Sequence, residues 1–97
     1  MRALTFHEEA GAEIIEAATY YEARIPGLGV LFLGALEEAV QNVRAHPEAC
    51  QLVGSEIRRS LIRRFPYSLL YVVESDRIRV LAVAHQKRRP GYWRNRL

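Results

Sequence analysis

Ten arginines and one lysine fall within residues 49–97, against three acidic residues. Most of them gather in two places. The first holds Arg58, Arg59, Arg63 and Arg64. The second is His85-x-x-Arg88-Arg89-Pro90-Gly91-Tyr92-Trp93-Arg94-x-Arg96. A guanidinium meets a phosphate or carboxylate through two parallel N–H donors, so arginine clusters suit oxyanion recognition. Histidine moves protons near neutral pH, and arginine stabilises charge that builds on a phosphate in transit. Tyrosine and tryptophan stack on bases or donate a hydrogen bond. Such a set is able to cleave RNA, one group taking the 2′-hydroxyl proton and another protonating the leaving oxygen. The plainer reading makes the first cluster an edge strand kept from aggregating by its charge. It makes the second a capped strand end, with His85 satisfied by hydrogen bonds and Tyr92 and Trp93 packed on a sheet.

Other chemistries are poorly provided for. His7, His46, His85 and Cys50 lack metal-ligand spacing. No Gly-rich phosphate loop or serine elbow is present, and Gly27-Leu28-Gly29 reads as a connection between helices. Cys50 stands alone, which excludes an internal disulfide and leaves it as a small buried or half-buried residue. No metal and no cofactor are expected.

The chain has 97 residues, 49% apolar and 26% charged. That composition excludes a disordered chain. It predicts one domain over residues 1–97, burying roughly 60–65% of the surface that the unfolded form exposes. No basic-plus-apolar leader and no apolar run of about 20 residues occur, so a cytoplasmic location is expected. The formal charge of +3 conceals a division. Residues 1–48 carry eight acidic and three basic side chains, a net of −5; residues 49–97 carry three acidic and eleven basic, a net of +8. A half at +8 attracts polyanions or an acidic protein partner.

Residues 2–6 read as a short strand. Thr5 and Glu8 have capping-box spacing, and Glu8, Glu9 and Glu13 suit a helix N-terminus. From Glu8 to about Arg24, Ala10, Ile14, Ala17, Ala18 and Tyr21 recur at helical spacing. Ile25-Pro26-Gly27 stops that helix. A second helix runs from near Gly29 to about Ala45 with Phe32, Leu36, Ala39, Val40 and Val43 inward, and Pro47 ends it. The connection is short, so residues 8–45 should form an antiparallel hairpin. Ile57–Arg64, Pro66–Glu74 and Arg77–His85 read as three strands within a sheet region 56–85. In the last of them Ile78, Val80, Ala82 and Ala84 are expected on the face that accepts the helices. Arg77, Arg79, Leu81, Val83 and His85 are expected on the other. Residues 86–97 form a basic, aromatic tail. The order β-α-α-β-β-β predicts an α+β fold: a helical hairpin packed on a curved, mostly antiparallel sheet.

Three stretches carry a family resemblance: Ala10 through Tyr20-Tyr21-Glu22, then Pro26-Gly27-Leu28-Gly29 with Phe32-Leu33; Ile57-Arg58-Arg59 with Arg64-Phe65-Pro66-Tyr67 and Tyr71; and Val80-Leu81-Ala82-Val83-Ala84-His85 with Arg88-Arg89-Pro90-Gly91-Tyr92-Trp93 and Arg96. Together they resemble the RelE/ParE superfamily of toxins from type II toxin–antitoxin systems, in its ParE-like, plasmid-stabilisation branch. The resemblance covers nearly the whole chain. It implies a growth-inhibiting toxin held inactive by a cognate antitoxin. Characterised ParE members inhibit DNA gyrase, whereas RelE-like members cleave mRNA on the ribosome; a third possibility is an inactive relative that only binds antitoxin. RelE-like nucleases usually carry a catalytic arginine where this chain has Ser68, which favours the gyrase reading. On the nuclease reading Arg58, Arg63, His85, Arg88 and Tyr92 surround a phosphate-sized concavity. On the binding readings the antitoxin, an acidic and partly helical segment, or the target meets Arg59, Arg64, Arg77, Arg79, Leu81, Val83, Arg89, Trp93, Arg94 and Arg96. The apolar side chains of the antitoxin rest on Leu81 and Val83 or on the hairpin groove.

Overall fold

The helical and alternating patterns above meet in a two-layer arrangement. In the computed structural model, which describes residues 2–97, the order is β1 (Ala3–Phe6), α1 (Glu8–Arg24), α2 (Leu28–Ala45), β2 (Gln51–Leu52), β3 (Ile57–Leu61), β4 (Tyr67–Val73) and β5 (Arg77–His85), followed by a 3-10 turn at Arg94–Arg96. The five strands form one sheet in the order β1-β5-β4-β3-β2. β1 runs parallel to β5 and every other pair is antiparallel. The fold is α+β, a helical hairpin on a mostly antiparallel sheet.

The hairpin forms because each helix has one apolar stripe that must leave water. Ala10 and Ala17 of α1, and Phe32, Leu36, Ala39, Val40 and Val43 of α2, are buried against Leu69, Tyr71, Ile78, Val80 and Val83 of the sheet. Phe65 and Tyr67 pack edge to face against both Tyr21 and Phe32, which lie tilted to each other, with ring centroids 5.0–6.2 Å apart. α1 does not start on the Thr5 capping box. Thr5 belongs to β1, where its hydroxyl is buried without a partner among the described residues. The cap is His7, whose Nδ1 accepts from the Glu9 backbone N–H at 3.0 Å. Strand pairing claims Thr5 because His7 N–H also donates to Val80 O at 2.8 Å, so the ladder ends only there.

The expected faces of β5 hold for half its length. Leu70 pairs with Ala82 and Tyr71 with Val80, so Leu81 is an extra residue in β5. This β-bulge reverses the alternation. Ile78, Val80 and Val83 face the helices, while Leu81, Ala82 and Ala84 face the opposite side. The expectation that Leu81 and Val83 share an outer, partner-facing surface is therefore corrected: both are buried, on opposite faces.

That opposite face is covered by the chain itself. Residues 86–97 fold back in tight turns, and Trp93 packs with Ile57, Leu70, Val72, Leu81, Ala82 and Ala84 in a second, smaller core. Each turn of the tail closes a backbone hydrogen bond, Arg88 N–H to His85 O at 3.0 Å, Arg94 N–H to Gly91 O at 3.0 Å and Arg96 N–H to Trp93 O at 3.0 Å. Among the described residues no helix is long and apolar enough to cross a membrane.

Candidate functional site

Cross-strand register builds the floor of a concavity on the tail side of the sheet. Arg59 pairs with Leu70, and Ser68 with Ala84, so these side chains form neighbouring rows on that face. The tail supplies the walls through Arg88, Arg89, Tyr92, Trp93 and Arg94, and His85 closes one end. The concavity measures about 240 Å³. Four arginines line it, and no acidic residue does.

Charge pairing separates these arginines from Arg63, Arg77, Arg79 and Arg96. Arg63 pairs with Glu38, Arg77 and Arg79 with Glu74, and Arg96 with Glu13 and Glu9. Among the described residues no carboxylate lies within ion-pair distance of Arg59, Arg88, Arg89 or Arg94. Arg59 donates to the neutral Gln51 Oε1 at 3.4 Å. Two of the four are held on aromatic faces: Arg88 lies 3.8 Å from the Tyr92 ring centroid and Arg94 lies 5.4 Å from that of Trp93. Stacking fixes the plane of a guanidinium while leaving its N–H edge available to an oxyanion.

The five residues of the nuclease arrangement do not assemble. His85, Arg88 and Tyr92 line the concavity. Arg58 follows the alternation to the helix side, where it donates to Glu48 O at 3.0 Å and Cys50 O at 2.7 Å, pinning the connection after α2. Arg63 stands beyond the end of β3 with Glu38 at 3.3 Å, both well exposed. It borders a separate groove of about 440 Å³ with Arg64, Phe65 and the exposed Val30 and Leu31 of α2. Of the residues expected to meet a partner, Arg59, Arg89, Trp93 and Arg94 line the concavity and Arg64 lines the groove. Trp93 is mostly buried. Arg77 and Arg79 share Glu74, which they hold below the usual carboxylate range, Arg77 foremost by its hydrogen bond. Leu81, Val83 and Arg96 are buried.

Arg96 is buried because a residue that the sequence pattern alone passes over demands it. Glu13 projects from α1 beside the edge of β5 that β1 leaves open beyond Val80. Its Oε1 accepts from the Val83 backbone N–H at 2.9 Å and from Arg96 Nη1 at 3.0 Å. Its Oε2 accepts from the Tyr92 hydroxyl at 2.7 Å. Arg96 Nη1 also donates to Leu81 O at 3.1 Å. Two side chains thus satisfy backbone groups of an open strand edge, which would otherwise be costly to bury. Burial, and then the bond to Glu13, push the Tyr92 phenol well above its ordinary range. Burial opposes charge on Arg96, but Glu13, Tyr92 and Glu9 outweigh it and hold the guanidinium charged. Glu13 does leave a trace in the sequence: it stands three residues after Ala10 and four before Ala17, on the inward stripe of α1.

Hydrogen bonds already engage two polar side chains of the concavity. His85 Nδ1 accepts from Lys87 N–H at 3.0 Å, so the neutral ring carries its proton on Nε2 and acts as a donor. Tyr92 already donates to Glu13. Among the described residues no three His, Cys, Asp or Glu side chains converge as metal ligands.

The comparison with curated proteins gives no match. Among solved structures, one chain of "Chromosomal ParDE TA system from P. aeruginosa" shares the fold, with a TM-score of 0.77 at 20% sequence identity; the similarity covers 88% of this chain and 96% of that one. A family model described as the ParE toxin of the type II toxin–antitoxin system, parDE, matches residues 4–90. That span takes in the hairpin, the sheet from Leu4 onward and the first turns of the tail, and the chain belongs to the ParE toxin family of type II toxin–antitoxin systems.

Proposed function

We propose that this ParE-family toxin inhibits growth by binding, with DNA gyrase as its target, and that a cognate antitoxin neutralises it with an acidic, partly helical segment. The observation that carries the antitoxin reading is the concavity of four arginines without a carboxylate partner among the described residues. Carboxylates of the antitoxin supply the missing partners there, which speeds association and makes it salt-sensitive. The apolar contacts fall on the groove beside α2, where Val30 and Leu31 are 69% and 65% exposed. Leu81 and Val83 are closed to a partner.

Binding rather than cleavage is supported by the disposition of the donors. Arg58 and Arg63 point elsewhere, Ser68 stands on the floor where the resemblance to RelE-like nucleases implies an arginine, and Tyr92 and His85 present no free base. The test is expression of the toxin alone, followed in parallel by gyrase supercoiling and by mapping of ribosome-bound mRNA. Loss of supercoiling with intact message is expected. Codon-phased message cleavage with supercoiling untouched would overturn the gyrase assignment.

A further inference from the structure

We infer that Glu13 is the positioning residue of the basic concavity: it sets Arg88 for oxyanion binding through Tyr92, although it does not line the site itself. The inference rests on the reading of the concavity as the seat of an acidic partner's carboxylates.

The chain of contacts is short and each link is geometric. Glu13 Oε2 accepts from the Tyr92 hydroxyl at 2.7 Å, which fixes the swing of the ring. The ring carries the Arg88 guanidinium 3.8 Å from its centroid. Glu13 Oε1 binds Val83 N–H and Arg96 Nη1, and these hold the carboxylate itself. Its side chain is 15% exposed, so water competes weakly for those bonds. Arg88 is itself exposed and makes no ion pair among the described residues. Without the ring beneath it the guanidinium would sample many rotamers, and an acidic ligand would bear the cost of ordering it.

Charge alone predicts the opposite behaviour. An acidic residue near a basic site repels an acidic ligand, so removing it should tighten binding. Positioning predicts that removal weakens binding, and this difference in sign is the test. The probe is a fluorescein-labelled decaglutamate peptide, titrated at low salt against the full chain and its Glu13→Gln, Glu9→Gln and Tyr92→Phe variants. Glu9 supplies the matched control: it lies 3.6 Å from Arg96, is exposed, and does not accept the Tyr92 hydroxyl, which donates to Glu13. Glu9→Gln is expected to bind slightly more tightly than wild type. Glu13→Gln, with the same change in charge, is expected to bind about two- to fivefold more weakly. Tyr92→Phe keeps the charge and the ring, loses the hydroxyl, and is expected to weaken binding in the same direction; it carries the test if Glu13→Gln does not fold. Ultraviolet titration gives an independent readout, since the Tyr92 phenol should ionise at lower pH in Glu13→Gln. If wild type binds and both Glu13→Gln and Tyr92→Phe bind as tightly or more tightly, the positioning role is overturned while the concavity stands. If wild type does not bind the peptide, the reading of the concavity falls, and the positioning role with it.

Discussion

The carboxylate of Glu22, near the end of α1, accepts the backbone N–H of Gly29, in the first turn of α2, at 3.0 Å, and the N–H of Gly27 at 2.8 Å. One helix thereby caps the next, in place of the side-chain cap that Gly27 cannot supply. The approach is so close that a Cβ on Gly29 would lie 2.6 Å from Ala18 O and 2.9 Å from Glu22. Gly29→Ala should therefore cost about 1–3 kcal/mol. Gly11→Ala, in α1 with nothing within 4 Å, should instead stabilise by about 0.5–1 kcal/mol. Urea unfolding of the two variants checks the pair, and equal effects would contradict the close approach.

Arg58 and Arg59 are neighbours with separate duties. Arg58 holds two carbonyls behind the sheet, so Arg58→Ala should lower stability by about 1–3 kcal/mol and leave the binding of an acidic peptide nearly unchanged. Arg59→Ala should shift stability by less than about 0.5 kcal/mol and weaken the peptide complex. Denaturation and fluorescence titration on both variants decide it, and a reversed pattern would show that the faces are misassigned.

Charge reversal at the tail tests the proposed antitoxin surface. Arg88→Glu with Arg89→Glu should weaken the toxin–antitoxin complex by on the order of tenfold or more at low salt, with a flatter salt dependence. Arg77→Glu, outside the concavity, should have a much smaller effect. Unchanged affinity of the double variant at low salt would remove the tail from the interface.

Alkaline pH should unfold this protein through its tyrosines. Burial foremost raises Tyr71, and burial together with the Glu13 bond raises Tyr92, above the ordinary value of 10.0. Above pH 10 the unfolded state releases these protons while the native state keeps them. The unfolded state then binds fewer protons, and stability falls as pH rises. The contribution is fully present below pH 10. Urea midpoints from pH 9 to 11.5 should fall more steeply for wild type than for Tyr92→Phe; parallel lines would show that Tyr92 ionises alike in both states.

The local layers of this fold are legible in the residues. The bounds of β5, the hairpin and the inward stripe of α2 all follow from periodicity, because each is set by neighbours three, four or two residues away. β2 is two exposed residues with no pattern to read. The bulge at Leu81 adds one apolar residue to an apolar run, and such a run does not reveal where its phase changes. The concavity was legible as chemistry in the tail, but not as an assembly. Arg58 and Arg96 look like the other arginines until the fold sends one behind the sheet and the other against Glu13. An acid in the first turns of a helix reads as a dipole partner, and its true partners lie 70, 79 and 83 residues away.

Those separations also set an order in time. At a synthesis rate of roughly 5–20 residues per second, Tyr92 follows Glu13 out of the ribosome's catalytic centre by roughly 4–16 s. Through that interval the hairpin and then the strands are made before the walls of the basic concavity, all of which lie at or beyond residue 88. Its four arginines come together only when synthesis has passed the tail, because Arg59 of β3 waits for Arg88, Arg89 and Arg94.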